Sequence, residues 1–185
     1  MLTASRLKFL YLAYFSKPVG DRIIYRAIRK RKVCKILEIG IGKADRAARM
    51  IAVAQRGAGG EAIRYVAIDP FEARRPEDGS GLSLKEAHRL LKSTTAQVQL
   101  IPGDPAAALT RAANALRNME LVIISSDYDE KALADAWFYL PRMLHAGSQA
   151  YIESRPSPAA EKTLSLLAPT EIESRASAKP RRRAA

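Results

Sequence analysis

The feature that most constrains this chain is Val33-Cys-Lys-Ile-Leu-Glu-Ile39, a short apolar run that ends on Gly40-Ile-Gly42 and passes into a helical pattern. Apolar runs of this length closed by glycine mark strands buried on both faces, and such strands belong to parallel sheets flanked by helices. Within Glu38-Ile-Gly40-Ile-Gly42-Lys-Ala44, Gly40 permits a tight turn and Gly42 lets a ligand approach the backbone. Small Ala44 lets the next helix start close against the sheet. Ligands of open α/β sheets bind at such strand ends. Glycine also ends strands for purely structural reasons, so the loop alone leaves both readings open.

The alternation that follows extends the pattern. Helical spacing over 44–56 is stopped by Gly57-Ala-Gly-Gly60, and strand 63–68 closes on Asp69-Pro70. A helix over 83–93 starts on Ser83 with Glu86 three residues on, the signature of a capping box. Strand 98–101, helix 105–117, strand 121–124, helix 131–144 and strand 148–152 complete the series. The periodicity predicts an α/β fold with a mostly parallel sheet and helices on both faces, abbreviated after the fifth strand. A last short helix is expected over 159–167, and only Glu171-Ile172-Glu173 is left to add to the sheet.

At the N-terminus, 3–15 and 22–31 read as helices separated by Pro18 and Gly20, with Asp21 as the N-cap of the second. The expected organisation is N-terminal basic helices over 1–32, a ligand-binding domain over 33–173 and a disordered basic tail over 174–185. At 185 residues, one domain is expected.

The net charge of +12 sits in the ends. Residues 1–35 hold Arg6, Lys8, Lys17, Arg22, Arg26, Arg29, Lys30, Arg31, Lys32 and Lys35 against Asp21 alone, and the tail from Arg175 has no acid. The body between is close to neutral. Basic ends suit RNA, ribosomes or an anionic membrane surface, or serve only as solubilising surface. Nucleic-acid binding is not favoured, because no aromatic platform interleaves with these charges, and base stacking is what single-strand binders add to charge. No segment approaches the roughly 20 apolar residues that span a bilayer. One cysteine, Cys34, excludes an internal disulfide and a thiolate zinc cluster, making a reducing cytoplasm the expected location.

The acids distinguish between two cofactors. A dinucleotide fold would want glycine three residues after Gly42, but position 45 is Asp45, whose carboxylate would repel a pyrophosphate. Glu38 instead suits the ammonium of a methionine moiety. Asp69 ends the second strand, where an acid can accept both ribose hydroxyls of an adenosine, or simply form a turn before Pro70. Phe71 is a candidate for the adenine slot.

Glu38-Ile-Gly-Ile-Gly, Ala67-Ile-Asp69 and Leu100-Ile-Pro-Gly-Asp104, each at a strand end in that order, resemble the cofactor motifs of class I S-adenosylmethionine-dependent methyltransferases over roughly residues 33–153. The resemblance implies that Glu38, Gly40 and Gly42 contact the methionine portion, Asp69 the ribose and Asp104 the adenine amino group. The full set of candidate cofactor-binding residues is Glu38, Gly40, Ile41, Gly42, Ala44, Asp69, Pro70, Phe71, Gly103, Asp104 and Ser125. Asp104 has the alternative of capping the next helix.

Residues 123–147 are similar to the small-molecule O-methyltransferase branch, in which an Asp-Gly-Asp-His pattern after the fourth strand supplies a metal-binding aspartate. Here Ser125 and Ser126 stand in that region and Tyr128 about where the histidine would be, while Glu153-Ser154 replaces the acidic and amide pair after the fifth strand. No metal site is therefore predicted. Asp127, Asp129 and Glu130 form the pool for a general base, or an acidic helix start. His88, His145, Trp137 and Tyr139 read as structural. These residues imply a metal-independent S-adenosylmethionine-dependent methyltransferase with an unspecified small-molecule acceptor, or a non-catalytic protein that keeps the fold; a homo-oligomer stays open.

Overall fold

A computed structural model of the protein describes residues 4–75, 80–157 and 160–178. The chain opens with α1 (Ala4–Leu10), which widens into a π-helical turn over Tyr11–Phe15, and α2 (Arg22–Arg31). Then come β1 (Lys35–Ile39), α3 (Asp45–Gly57), β2 (Arg64–Asp69), α4 (Leu84–Lys92), β3 (Gln97–Pro102), α5 (Pro105–Ala112) and β4 (Leu121–Ile124). The series closes with α6 (Glu130–Leu133), α7 (Leu140–Met143), β5 (Gln149–Ser154), β6 (Thr163–Leu166) and α8 (Pro169–Ser177).

The sheet order is β3-β2-β1-β4-β5-β6. The first five strands are parallel, and β6 runs antiparallel along β5 with Tyr151 opposite Leu166. Two-residue alternation divides the core between the two faces of the sheet. Ile36, Tyr65, Ala67, Leu121, Ile123 and Tyr151 pack with α2, α3 and α4 on one face. Leu37, Ile39, Val66, Ile68, Val122 and Ile124 pack with α5, Trp137, α7 and α8 on the other. Leu12, Ile24, Tyr25 and Ile28 lie in the first core, so the N-terminal helices share a layer with α3.

Three expectations are corrected. Residues 163–166 form a strand rather than part of a helix, because Thr163-Leu-Ser-Leu166 finds the open edge of β5 and pairs its backbone there; residues 158–159 lie outside the described set. Glu171–Glu173 belong to α8 rather than to the sheet, and α8 runs through Ser174 to Ser177 where disorder was expected. Pro169 at its first turn and buried Ile172 explain why; the tail from residue 179 lies outside the described residues. The helix expected over 131–144 is broken into α6, a 3-10 turn at Trp137–Tyr139 and α7. Pro141 lacks an N–H and crowds the preceding turn, which ends a continuous helix.

The capping box forms as expected: Ser83 Oγ accepts from Glu86 N at 3.2 Å and Glu86 Oε2 accepts from Ser83 N at 2.9 Å. Cys34 is buried, and burial first, then Glu61, pushes its thiol up to about 11, which suits an inert packing residue.

Candidate functional site at the carboxyl ends of the strands

Between β1 and β4 the strand order reverses direction, and the loops after these strands diverge to opposite faces. Such a switch point opens a crevice at the carboxyl ends of an open α/β sheet. The glycine loop lies at its edge. Gly40 has φ +88° and donates its N–H to Ile68 O at 2.8 Å, tying the loop to β2. A Cβ on Gly40 would lie 2.5 Å from Ser125 Cβ, so the turn is possible only because β1 and β4 approach without a side chain between them. Gly42 (φ +55°) faces open space. Ala44 also takes a left-handed conformation, φ +60°, just before α3 begins.

Asp69 is fully buried and braces this loop. Its Oδ2 accepts from Ile41 N at 3.0 Å and Gly42 N at 3.4 Å, while Oδ1 accepts from Phe71 N at 2.9 Å. Arg74 Nη2 closes the open side, 2.6 and 2.5 Å from the two oxygens. Asp69 is therefore at the predicted place, with Arg74 standing on the carboxylate where a diol would approach.

Glu38 differs from its expected orientation. Residues 36 and 38 point to the same face of β1, so its carboxylate turns toward the first turn of α3 and is fully buried there. Arg46 Nε donates to Oε1 at 2.7 Å, and Tyr65 Oη donates to Oε2. Burial pushes the Glu38 carboxyl up, with Arg46 opposing, and burial beside Glu38 holds the Tyr65 hydroxyl far above its usual range. Arg46 also reaches Glu153 Oε1 at 2.7 Å and Asp21 Oδ1 at 3.4 Å. Asp21 is thus not a side-chain cap for α2: it is buried, and its carboxylate joins Arg46 and Tyr25.

Glu153 connects this cluster to the crevice. Its Oε2 accepts from Lys162 Nζ at 2.7 Å, Ser126 Oγ at 2.9 Å, Ser126 N at 3.2 Å and Ser125 Oγ at 3.3 Å. Burial opposes its ionisation, but Arg46 and Lys162 outweigh it and bring the carboxyl down to about 2. Lys162 Nζ also lies 3.3 Å from Asp127 Oδ1. An ammonium therefore bridges the acid after β4 and the acid near the end of β5. Among the described residues, no group of three His, Cys, Asp or Glu side chains is arranged to hold a metal ion.

Two adjoining spaces follow the strand ends. A cleft of about 670 Å³ is lined by Pro70, Gly103, Asp104, Tyr128 and Asp129 among others, and a recess of about 190 Å³ by the Gly40–Arg46 loop, Pro18, Ser125 and Lys162. Asp127 lines both. Of the three base candidates, Asp127 stands at this shared edge. Asp129 also borders the cleft but accepts from Ala132 N at 2.7 Å as the cap of α6, and exposed Glu130 pairs with Arg175 at 2.9 Å.

Asp104 borders the cleft, and its Oδ1 caps α5 through Ala107 N at 3.0 Å, the capping alternative at that position. Phe71 departs from its expectation: it is buried in the first core and does not border the cleft, because the turn after Pro70 points its ring inward. His145 caps its own turn through Gly147 N, and Trp137 is buried packing under the Arg175 guanidinium. Sequence reading missed Arg46, Lys162, Asp21 and Arg74 as site residues. The available signal was Arg46, eight residues after Glu38 on a helix whose first turn must face the strand end.

The fold is that of class I methyltransferases. No protein-family model and no curated protein sequence matches the chain. Among solved structures, similarity extends to the O-methyltransferase TomG from Streptomyces achromogenes, of tomaymycin synthesis, in complex with S-adenosylmethionine: TM-score 0.53, 14% identity, 83% of this chain and 66% of that one. It extends also to an O-methyltransferase from Bacillus cereus in complex with S-adenosylhomocysteine (TM-score 0.55, 12% identity, 83% and 67%). A third is an S-adenosylmethionine-dependent methyltransferase from Agrobacterium tumefaciens (TM-score 0.51, 11% identity, 75% and 45%). The methyltransferase-fold chain thus spans between just under half and about two thirds of the length of these structures.

Proposed function

We propose that the protein binds S-adenosylmethionine across the recess and cleft and transfers its methyl group to a small-molecule acceptor without a metal ion. The observation that carries this reading is the glycine loop at the switch point, with two glycines at positive φ, braced by the acid that ends β2. The residues fit such a ligand: Gly42 leaves open space where a backbone must be approached, and Pro70, Gly103 and Asp104 border the space an adenosine needs. In this reading the methionine end occupies the recess beside Gly40, Gly42 and Ser125. Glu38 acts from behind the loop by fixing Arg46, and Asp69 receives the ribose diol when Arg74 withdraws.

The bound cofactor supplies an electrophilic methyl on a sulfonium sulfur. The chain contributes position and charge: the loop and the strand ends hold donor and acceptor in line, which is the principal source of acceleration for a direct displacement. Asp127, at the edge shared by the two spaces, accepts the proton that the acceptor loses as its bond to the methyl carbon forms and the carbon–sulfur bond breaks. Lys162 holds Asp127 and Glu153 together, the role a divalent cation would otherwise have between two carboxylates.

Isothermal titration with S-adenosylmethionine and S-adenosylhomocysteine tests the binding. Micromolar affinity is expected, weakened by about tenfold or more in Asp69→Asn, as expected when hydrogen bonds to a charged acceptor are lost, and strengthened in Arg74→Ala. No heat at high micromolar ligand removes the reading. Methyl transfer, found by screening extracts with labelled donor, is expected to survive EDTA; abolition with rescue by magnesium contradicts the metal-free step. A second reading, a protein that keeps the fold without turnover, is favoured by the ion pairs that close Glu38 and Asp69 within the chain. Binding of neither ligand together with no labelled product would select it.

A further inference from the structure

The N-terminal segment exposes an apolar surface that the rest of the molecule leaves uncovered. Leu12, Ala13 and Ser16 turn inward, whereas Leu7 is 54% exposed, Tyr11 58%, Tyr14 50%, Phe15 68% and Val19 46%. These are five of the eight large apolar side chains exposed among the described residues. Their spacing along Leu7, Tyr11, Tyr14 and Phe15 puts them on one side of the helix, opposite the buried face.

The cations belong to the same surface. Lys8 and Lys17 are exposed on the segment itself, and Arg26 of α2 places its guanidinium 5.8 Å from the centre of the Tyr14 ring. Arg29 lies at the same distance from the Phe9 ring. Packing of α1 and its π-helical turn on α2 therefore sets aromatic rings beside the cations of α2. The one acid of residues 7–32, Asp21, is buried on Arg46, so no exposed carboxylate lies among them.

We propose that this face docks on an anionic membrane surface, the helical segment lying in the interfacial plane with Leu7, Tyr11, Tyr14, Phe15 and Val19 among the headgroups and upper acyl chains and with Lys8, Lys17 and Arg26 on the lipid charges. A helix with an apolar face, aromatic side chains and flanking lysine or arginine has the composition of an interfacial anchor. A second copy of the same face would set cations against cations. A nucleic acid would gain from the rings and charges but nothing from the exposed aliphatic side chains of Leu7 and Val19. Among the described residues no helix is long and apolar enough to cross a membrane, so the contact is superficial.

The full chain is tested by flotation with vesicles of phosphatidylcholine alone and of phosphatidylcholine with phosphatidylserine. Partition onto the serine-containing vesicles is expected to be about tenfold or more stronger, since several cations lie near the surface where the anionic headgroups attract them, and to fall with salt. Tyr11→Ser with Phe15→Ser keeps every charge, including the basic tail, and changes only exposed side chains, so circular dichroism should be unchanged. This variant is expected to lose about tenfold or more of the partition. Equal partition of variant and parent, or none of the parent at low salt, overturns the proposal. Loss of a dimer in the variant by light scattering, without vesicle binding by the parent, assigns the face to a second copy. Binding of single-stranded RNA by the parent, with none to vesicles, assigns it to nucleic acid.

Discussion

Replacing Arg46 with methionine is expected to destabilise the protein by about 3–5 kcal/mol, the cost of leaving buried charge uncompensated. Among the described residues Arg46 is the one cation that reaches Glu38, Glu153 and Asp21 together, and all three carboxylates are nearly or fully buried. Methionine fills similar volume, so the loss reports charge rather than a cavity. Chemical denaturation at neutral pH measures it. The acid dependence should change as well. Glu153 is held down to about 2, so its contribution is complete above the ordinary carboxylate range and is lost as pH falls toward that value. Glu38 and Asp21 are pushed up by burial, so their ionisation is a cost that acid relieves. Without Arg46 all three carboxyls rise, and the variant should recover part of its deficit as the pH falls from neutral and they take up protons. A variant with parental stability and parental acid dependence would show that the cluster does not organise this end of the sheet.

The second large effect separates the two glycines of the loop. Gly40→Ala meets Ser125 Cβ at 2.5 Å and imposes a side chain on φ +88°; the strain and the overpacking together are expected to cost about 3 kcal/mol. Because Ser125 also holds Glu153, the shift should spread into the recess and remove detectable binding of S-adenosylmethionine. Gly42→Ala has open space around the new methyl and pays only for a left-handed φ of +55°, about 1 kcal/mol. Its stability should stay near that of the parent while ligand affinity falls, since the methyl projects where the ligand approaches. Thermal melts with and without ligand check both. Equal stability of the two variants would contradict the packing of β1 against β4.

Local pattern carried the order of strands and helices up to β5, the glycine loop and the capping box, because each depends on contacts within a few residues: period-two burial, a glycine at the turn, a serine and a glutamate three apart. The sequence also determined which acids stand at strand ends, since Asp69 closes one apolar run and Asp104 follows another after Pro102 and Gly103. What those acids touch was decided by tertiary structure. Glu38 faces Arg46 because β1 turns its even positions toward the first turn of α3, and Asp69 holds the Ile41 and Gly42 amides because β1 and β2 pair in register. Thr163–Leu166 is a strand because β5 offers an edge that must be satisfied, and Pro169–Ser177 is a helix because Ile172 finds a core to enter; both segments lack a decisive pattern of their own. Lys162 reaches Glu153 and Asp127 only after β6 has folded back along β5. A charge's partners are set by the elements that pack around it, and no spacing in the chain records them.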